Sequence, residues 1–434
     1  MIPLPEPEPA VLKALESRAD AIAAPAVSRI RSVRRRNQVR VLMAFREARI
    51  AESHFGGTTG YGYGDRGREA LEDAFALAFQ SEAALVRHQI GTGTQAIALC
   101  LFGILRPGDT LLSLTGSPYD TLRGVIGMDD RLPGQGSLRD FGIAYEGIPL
   151  TPAGEPDEEA IRRRLLSGPP VRMVFLQRSR GYALRKALGL AGIAGLCRLV
   201  RACGSEAVIL VDNCYGEFVE DGEPCGVGAD LAAGSLIKNP GGGICPTGGY
   251  VTGRRHLVEL AACRLTAPGL GSHVGPTLGL TRLLTQGLYF APHMVAECLE
   301  GAVFAAALFR EAGYDVDPGP LDPRADLVQS ITLGSPDRLL AFCRAIQAAS
   351  PVDSFAVPEP WDMPGYADPV VMAAGTFVSG ASIELSADAP MRPPYAAYLQ
   401  GGPLSDTVRH AALSALSVLG VCGNPDAAGS EAMP

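Results

Sequence analysis

Short apolar runs alternate with longer segments of helical periodicity through most of the chain. The runs are rich in β-branched residues and lack polar alternation, which is typical of strands buried on both faces of a parallel sheet. They predict strands at Ala84–Arg87, Thr110–Leu114, Phe141–Leu150, Val171–Gln177, Val208–Val211 and Thr247–Thr252. The segments between them predict helices at Glu69–Phe79, Ala96–Leu105, Glu155–Ser167 and Ala191–Cys203. This alternation indicates an α/β fold with a mainly parallel sheet between helices.

The hydrophobic pattern is different on the N-terminal and C-terminal sides of this α/β region. Residues 11–52 predict helices, and residues 275–312 predict an apolar helical bridge. From Asp315 onwards, shorter elements indicate a smaller α+β domain, among them Leu327–Leu333, Pro336–Ala349 and a strand at Gly380–Glu384. We therefore divide the chain into an N-terminal helical segment (1–57), a large domain (58–290), a small C-terminal domain (291–422) and a disordered tail (423–434).

The N-terminal segment contains a basic stretch, Arg29–Arg40. Apolar residues recur there at helical spacing and predict an amphipathic helix with an apolar stripe formed by Ile30, Val33, Val39, Leu42 and Phe45. The net charge of the chain is −8, which argues against a general nucleic-acid-binding role. The basic face is better explained as a solvated or subunit-contacting surface.

Composition narrows the class of protein. With 47% apolar and 19% charged residues, the chain of 434 residues is typical of a globular protein. Its ten cysteines are scattered without metal-site spacing, and its six histidines lack motif context, so we predict no metal site. No apolar run approaches the ~18 residues of a membrane span, and no signal peptide is evident. We therefore predict a reduced, cytoplasmic protein that does not bind membranes.

Candidate chemistry is concentrated between Val208 and Gly243. Asp212 ends an apolar strand, at the edge of the sheet where α/β proteins bind ligands. Ser235 and Lys238 follow in a nearly uncharged segment, where desolvation is expected to lower the lysine pKa. Taken singly, Asp212 could be a residue that caps a turn, and Lys238 could be a solvated cation in a loop. Together they supply a pyridinium partner, a phosphate donor and a Schiff-base amine, which is what pyridoxal phosphate (PLP) requires.

A second phosphate-binding element is predicted at a glycine–threonine loop that opens a helix. The first N–H groups of a helix are unpaired and lie at its positive end, so they can bind an anion. We assign Gly93, Thr94 and Gln95 to the cofactor phosphate on this ground. The motif alone is common, and no Gly-Lys-Ser/Thr follows that would indicate a nucleotide-binding P-loop.

Several long segments carry a resemblance to a known family. They include TGYGYGDRGRE, LRPGDTLLSLTGSPYDTL, FLQRSRGYA, VDNCYGEF, AGSLIKNPGGG and GASIELSADAPMRPPYAAYLQGG. From about Tyr61 to Gly402 the chain resembles the bacterial methionine gamma-lyase family, also called the aluminium resistance protein family. This family belongs to the Cys/Met-metabolism group of fold type I PLP-dependent enzymes. The resemblance implies that fold, with a seven-stranded-type sheet and a small C-terminal domain.

The resemblance also implies roles around the cofactor. Tyr119 corresponds to the aromatic residue that stacks on the ring, and Tyr215 to a tyrosine that in some members contacts the ring hydroxyl. Tyr63 and Arg66, with Arg68 as the alternative to Arg66, correspond to a loop that reaches the phosphate of the neighbouring subunit. A homodimer with shared active sites is therefore expected, assembled further into a tetramer.

Substrate binding is assigned to arginines. A C-terminal arginine holds the substrate carboxylate in such enzymes, and we expect Arg392 to do so, with Arg264 as second choice. A planar guanidinium suits this role because it can donate two hydrogen bonds to a carboxylate. Polar residues also follow the strand at Val171–Gln177, where Gln177 or Ser179 could contact the ring hydroxyl and Arg178 or Arg180 the substrate. A solvated basic loop explains either arginine equally well.

The resemblance implies a PLP-dependent carbon–sulfur lyase. Lys238 would carry the cofactor as a Schiff base and then move protons while a methionine-like amino acid loses its γ-substituent, or its β-substituent, through carbanion intermediates. Three alternatives stay open: a non-sulfur leaving group such as halide, an aminotransferase or cysteine desulfurase on the same fold, and a non-catalytic PLP-binding stress protein.

Overall fold

The large sheet has seven strands and is mainly parallel. The computed structural model describes residues 9–128, 134–181, 183, 185–363 and 368–421. The strands are β1 (Ala83–Arg87), β2 (Thr110–Ser113), β3 (Ala144–Gly147), β4 (Met173–Gln177), β5 (Val208–Asp212), β6 (Leu231–Ser235) and β7 (Gly249–Gly253). Their order is β1-β7-β6-β5-β4-β2-β3, with β7 antiparallel to both neighbours. The predicted fold class is confirmed.

Helices cover both faces of this sheet. They are α2 (Arg66–Ala78), α3 (Gly93–Ile104), α4 (Asp120–Ile126), α5 (Glu158–Ser167), α6 (Leu190–Ala202) and α7 (Arg255–Leu265). Successive strand residues point to opposite faces. Leu210 accordingly joins the apolar cluster under α3 and α7, whereas Ile209 and Val211 join the cluster under α5 and α6. Burial of β5 on both sides explains its uninterrupted apolar sequence.

The N-terminal helix α1 (Pro9–Glu47) packs along a second long helix, α8 (Thr281–Glu311). The predicted apolar stripe on α1 is confirmed only in part: Ile30 and Phe45 pack against the apolar core, whereas Val39 and Leu42 are 58% and 48% exposed. Asn37 is buried instead, and its amide donates to the carbonyl oxygens of Phe218 at 2.8 Å and Glu220 at 3.1 Å. These polar contacts add to the apolar packing of α1, and apolar spacing alone does not predict them.

Helix α8 lies deep in the protein. Its most apolar 18-residue window has a mean hydropathy of 1.3, so by length and composition it could cross a membrane. However, 83% of that window is buried within the protein, as expected for a core helix. Helix α8 continues without a break through the domain boundary predicted at 290/291. No end of a helix or strand marks that boundary, and the predicted division into domains stays a prediction.

A five-stranded antiparallel sheet forms the C-terminal part. Its strands are β8 (Asp315–Asp317), β9 (Gln329–Thr332), β10 (Val370–Ala374), β11 (Ser386–Pro390) and β12 (Ala396–Gln400), in the order β10-β11-β12-β9-β8. Helices α9 (Pro336–Ala348) and α10 (Ser405–Leu419) share its apolar core. The smaller α+β unit is thus present, while the tail predicted at 423–434 lies outside the described residues.

The strand predicted at Gly380–Glu384 is wrong, since the nearest strand begins at Ser386. Gly380 has a φ of 79°, which is not an extended conformation. The Glu384 carboxylate accepts from the N–H groups of Phe377 at 2.7 Å and Val378 at 3.0 Å. These bonds fold the segment into a turn, and only the following residues pair with β10 and β12.

Candidate active site

A cavity of about 490 Å³ lies beyond the carboxyl ends of β4, β5 and β6. This is the edge at which open α/β sheets bind ligands. The cavity brings together residues that are far apart in sequence. Of the predicted site residues it is lined by Gly93, Thr94, Tyr119, Gln177, Ser179, Arg180, Asp212, Tyr215, Ser235, Lys238 and Arg392.

Lys238 is the partly buried lysine of the chain. The sequence has three lysines, and the other two, Lys13 and Lys186, are exposed. The Lys238 ammonium lies 4.0 Å from the centroid of the Tyr215 ring. Burial alone would lower the lysine pKa, but the neighbouring Cys214, Tyr215 and Asp212 raise it further than burial lowers it. The predicted lowering is therefore wrong, because those neighbours favour the charged form.

The loop after Lys238 holds its backbone tightly. The Asn239 side-chain amide donates to the carbonyl of Glu217 at 2.9 Å. Gly241 donates its N–H to the Lys238 carbonyl at 3.2 Å. A Cβ atom on Gly241 would lie 1.6 Å from the carbonyl oxygen of Leu236, so only glycine fits this loop. The glycine cluster in the sequence thus permits close backbone packing beside the lysine.

Asp212 is the last residue of β5 and is 4% exposed. Its Oδ1 accepts from the N–H of Cys214 at 3.1 Å, which orients the carboxylate. Burial raises the pKa of Asp212, and the nearby Lys238 charge opposes that rise. A buried carboxylate of this kind is suited to accept a hydrogen bond from a protonated ring nitrogen.

The turn after β5 is shaped by a buried polar network. Tyr215 and Phe218 have φ values of 70° and 61°, which are uncommon for such side chains. The Asn213 side chain accepts from Arg178 at 2.7 Å and donates to Glu223 at 3.0 Å. These bonds stabilise the turn that presents Asp212, Cys214 and Tyr215 to the cavity.

The loop that opens α3 lies beside Ser235. The Thr92 hydroxyl caps the helix by accepting from the N–H of Gln95 at 3.0 Å. A Cβ on Gly93 would lie 3.0 Å from Cys214 Sγ and 3.4 Å from Ser235 Cβ, so these elements are in close contact. The N–H groups of Gly93 and Thr94 are at the first turn, where they can bind an anion.

Gln95 differs from its two predicted partners. It is exposed, and its side-chain oxygen accepts from the N–H of Gly91 at 2.8 Å. The backbone N–H of Gln95 donates to the Thr92 hydroxyl. Both the side-chain oxygen and the N–H of Gln95 are therefore bonded within the loop. The structure therefore does not place Gln95 on the cavity wall.

Tyr119 caps the N-terminus of α4 and lines the cavity. Its hydroxyl lies 3.2 Å from Thr94 Oγ1, and its N–H donates to Gln177 Oε1 at 3.1 Å. Burial raises the pKa of Tyr119 well above its usual value, and the nearby Asp212 and Cys214 add to the effect. The ring is thus held as a neutral phenol between the predicted phosphate loop and the end of β4.

The three arginines assigned to the substrate lie in different places. Arg392 lines the cavity and pairs with Asp368 at 2.9 Å. Arg178 is fully buried beneath the site, where it pairs with Glu220 at 2.7 Å. Arg264 packs over the Phe102 ring at 5.5 Å, away from the cavity. Of these three arginines, only Arg392 lines the cavity.

The loop with Tyr63 and Arg66 is on the surface. Tyr63 is 61% exposed and its ring centroid lies 5.6 Å from that of Tyr61. Arg66 is exposed at the start of α2, and neither side chain lines the cavity of its own chain. Arg68, the alternative, is buried and donates to the carbonyls of Gly62 at 2.7 Å and Gly275 at 2.8 Å. It stabilises the loop locally.

Sequence reasoning missed several cavity-lining residues. Cys214 was inside a recognised motif but had no assigned role, and Arg185 lies eight positions beyond the end of β4. Arg180, one of two open choices, does reach the cavity and pairs with Asp317. The concentration of arginine after β4 was the available signal. It did not show which side chains turn towards the cavity.

Comparison with known proteins places the chain in a family. The methionine gamma-lyase family model matches residues 12–420. An uncharacterised protein of Bacillus subtilis, YnbB, is 46% identical over 390 residues, which are 90% of this chain and 92% of that protein.

Solved structures agree with this assignment. A carbon–sulfur lyase involved in aluminium resistance from Clostridium novyi is 45% identical, with a TM-score of 0.90 over 94% of this chain and 96% of that chain. The PLP-dependent protein YhfS from Escherichia coli, 19% identical with a TM-score of 0.60 over 89% of this chain and 97% of that chain, shares the fold. The chain therefore belongs to the methionine gamma-lyase family of PLP-dependent lyases.

Proposed function

We propose that this protein uses PLP to cleave a carbon–sulfur bond at the γ carbon, or the β carbon, of a thioether amino acid. The observation that carries the proposal is that a partly buried lysine, a buried strand-end carboxylate and the start of α3 line one cavity. A PLP enzyme needs a group for each end of the cofactor, and these three elements supply them.

The residues fit the cofactor chemically. Lys238 would bind its aldehyde carbon, Asp212 its ring nitrogen, and Ser235 with the first turn of α3 its phosphate. Ser235 has only a long bond of 3.5 Å to the carbonyl of Gly248, so its hydroxyl is available to an anion. The close approach of Gly93 to Ser235 puts both donors at one end of the cavity.

When bound, PLP supplies an aldehyde for the substrate amine and an electron sink for the pair left at Cα. Lys238, once released as a neutral amine, would remove the Cα proton and then move protons to and from Cβ. Asp212 would keep the ring nitrogen protonated, and Tyr119 would cover one face of the ring. Arg392 would hold the α-carboxylate. With water, the thioether gives a thiol, a 2-oxo acid and ammonia.

The lysine assignment can be tested by chemical trapping. Borohydride reduction of PLP-treated protein, followed by peptide mapping, should label Lys238 and not the two exposed lysines. Lys238→Ala should abolish the visible absorbance band of bound cofactor, whereas Lys186→Ala should retain it. A band that persists unchanged in Lys238→Ala would contradict the assignment.

The reaction class needs a separate measurement. Purified protein with PLP would be incubated with methionine, homocysteine, cystathionine, cysteine and γ-halogenated analogues, without any amino acceptor. Release of 2-oxo acid together with thiol would establish the lyase reaction. Release with halide alone would favour the non-sulfur leaving group. Turnover only with an acceptor would indicate transamination, sulfide transfer from cysteine would indicate desulfuration, and cofactor binding without turnover would favour the stress-protein alternative.

A further inference from the structure

The ammonium group of Lys238 lies over the face of an aromatic ring. Its Nζ is 4.0 Å from the centroid of the Tyr215 ring, well inside the ~6 Å within which an aromatic face attracts a cation. In the part of the chain that the structure describes, Nζ forms no hydrogen bond and no ion pair with a carboxylate. The Tyr215 ring is therefore the group in direct contact with the lysine charge.

The position of this ring is set by the turn after β5. Tyr215 has a φ of 70°, a left-handed conformation that is uncommon for a tyrosine. The N–H of Gly216 donates to the carbonyl of Asn213 at 2.9 Å and closes the turn around it. A conformation of this kind persists only where the surrounding structure holds it. Here it places the ring beside Lys238.

The C-terminal part of the protein also holds the ring. Tyr215 packs against an apolar cluster of Val328, Ala396 and Tyr398, which lie in β12 or directly before β9. Lys238, by contrast, follows β6 of the large sheet. The ring is thus in contact with both parts of the fold, and these contacts restrict its orientation relative to the lysine.

The Tyr215 phenol is neutral in the physiological pH range. Burial raises its pKa, and the opposing effect of Lys238 does not cancel that rise. A phenolate would bind the ammonium through its oxygen, whereas a neutral ring attracts it through the negative potential of its face. The short distance from Nζ to the ring centroid agrees with the second arrangement.

We propose that Tyr215 is a positioning residue that holds the ammonium form of Lys238 against the face of its ring. This role belongs to the ring itself and is separate from any contact made by the hydroxyl. An aromatic face takes up no proton and offers a cation only about 0.5–2 kcal/mol. Lys238 is therefore held without being locked in place.

The consequence for catalysis rests on the proposed function. When Lys238 removes the Cα proton, the Cα–H bond breaks, an N–H bond forms on Nζ, and the electron pair left at Cα passes to the cofactor. The ring stabilises the ammonium formed in this step, and the lysine can afterwards release its proton at Cβ. The contact between ring and ammonium requires no turnover, so it can be tested separately.

The test changes the charge of the ring face while keeping its shape. Tyr215→Phe removes only the hydroxyl, and phenylalanine analogues with one, two or three ring fluorines at position 215 then weaken the negative face stepwise. In full-length, cofactor-free protein, trace acetic anhydride acetylates the neutral fraction of each lysine. Peptide mass spectrometry gives the labelling of Lys238 relative to the exposed Lys186. Tyr215→Phe should stay within about twofold of the wild type, and three fluorines should raise the ratio about 3- to 30-fold.

Controls separate the ring face from other effects. The same analogues at position 289, a ring 39% exposed on α8, should leave the Lys238 labelling unchanged. Circular dichroism should show the same fold in every variant. Labelling that does not depend on the number of fluorines would overturn the proposal. A full rise in Tyr215→Phe alone would also overturn it, because the hydroxyl would then be the group that holds the ammonium.

Hydrogen exchange distinguishes this inference from the proposed function. With PLP and methionine in D₂O, loss of the Cα–H signal should slow about 2- to 10-fold from Tyr215→Phe to the three-fluorine variant, because Lys238 becomes a weaker base. An exchange rate that is equal across the series would overturn the role of the ring in the proton step. If the wild type neither exchanges nor cleaves any amino acid while the labelling stays graded, the lyase reaction fails and the contact stands.

Discussion

At the scale of single residues, two buried glutamates near the site differ in their partners. Glu217 and Glu223 are both 0% exposed in the segment after β5. Glu217 Oε1 accepts from the Tyr250 hydroxyl at 2.8 Å, and its other oxygen has no partner among the described residues. Glu223 accepts from Asn213 and lies 4.0 Å from a nitrogen of Arg178. Glu217 is thus buried without a paired cation.

Burial raises the pKa of Glu217 from 4.5 to about 8. The folded state therefore binds a proton that the unfolded state has already released above pH 4.5, so Glu217 lowers stability as pH rises towards 8. Glu217→Gln removes this cost. We expect the free energy of unfolding of Glu217→Gln, relative to the wild type, to increase by about 1–3 kcal/mol between pH 5.5 and 8, measured by denaturant titration.

The matched control is Glu223→Gln. It leaves the buried Arg178 without one of its carboxylates, so it should destabilise the protein by at least about 1–3 kcal/mol. A relative stability of Glu217→Gln that is independent of pH would show that Glu217 is ionised in the folded protein. Its resemblance to Glu223 would then extend to charge.

At the scale of elements, helix α8 packs against the loop that carries Lys238. Gly287 of α8 faces that loop, and a Cβ at this position would lie 2.5 Å from the carbonyl oxygen of Gly241 and 2.6 Å from Cys245 Sγ. In helix α6, a Cβ on Gly195 would meet no atom within 4 Å. The same substitution therefore has opposite consequences in the two helices.

Gly287→Ala should destabilise the protein by about 1–3 kcal/mol, because overpacking moves the helix or the loop. Gly195→Ala should stabilise it by about 0.5–1 kcal/mol, because alanine favours the helix over glycine. Denaturant unfolding measures both. The visible cofactor band should also shift in Gly287→Ala and not in Gly195→Ala. Stabilisation by both substitutions would contradict the tight contact between α8 and the lysine loop.

At the scale of the whole molecule, the exposed loop with Tyr63 and Arg66 is best explained by assembly. We propose a homodimer, and a tetramer of two dimers, in which this loop reaches the partner's cavity. In support, both side chains are exposed and none of the described cavity wall comes from them. A two-fold dimer places the same loop at both active sites.

Subunit complementation tests the shared site. Lys238→Ala and Arg66→Gln should each be nearly inactive alone. After unfolding and refolding together, hybrid dimers contain one intact site, so activity should recover to about a quarter of the wild-type value. Sedimentation should show at least a dimer. A fully active monomer, or no recovery on mixing, would contradict the shared site.

Much of this arrangement could be predicted from the sequence. Strands β4 and β5 are buried on both faces, so they appear as continuous apolar runs that mark their own ends. Asp212 lies at the end of such a run, but β6, which ends at Ser235, is not among the predicted strands. Ser235 and Lys238 are grouped with Asp212 by their chemistry and their order in the chain. The strand expected at Gly380–Glu384 failed because side-chain bonds from Glu384 outweigh local propensity.

The tertiary structure alone decided the rest. Lys238 keeps a raised pKa because Cys214, Tyr215 and Asp212 surround it, and which acidic groups gather around a lysine depends on the fold. Arg178, Arg180 and Arg185 come from one stretch of sequence, yet one lies beneath the site and two line the cavity. Local sequence determines where a strand ends and which chemical groups follow it. The direction of each side chain depends on packing and charge partners contributed by distant parts of the chain.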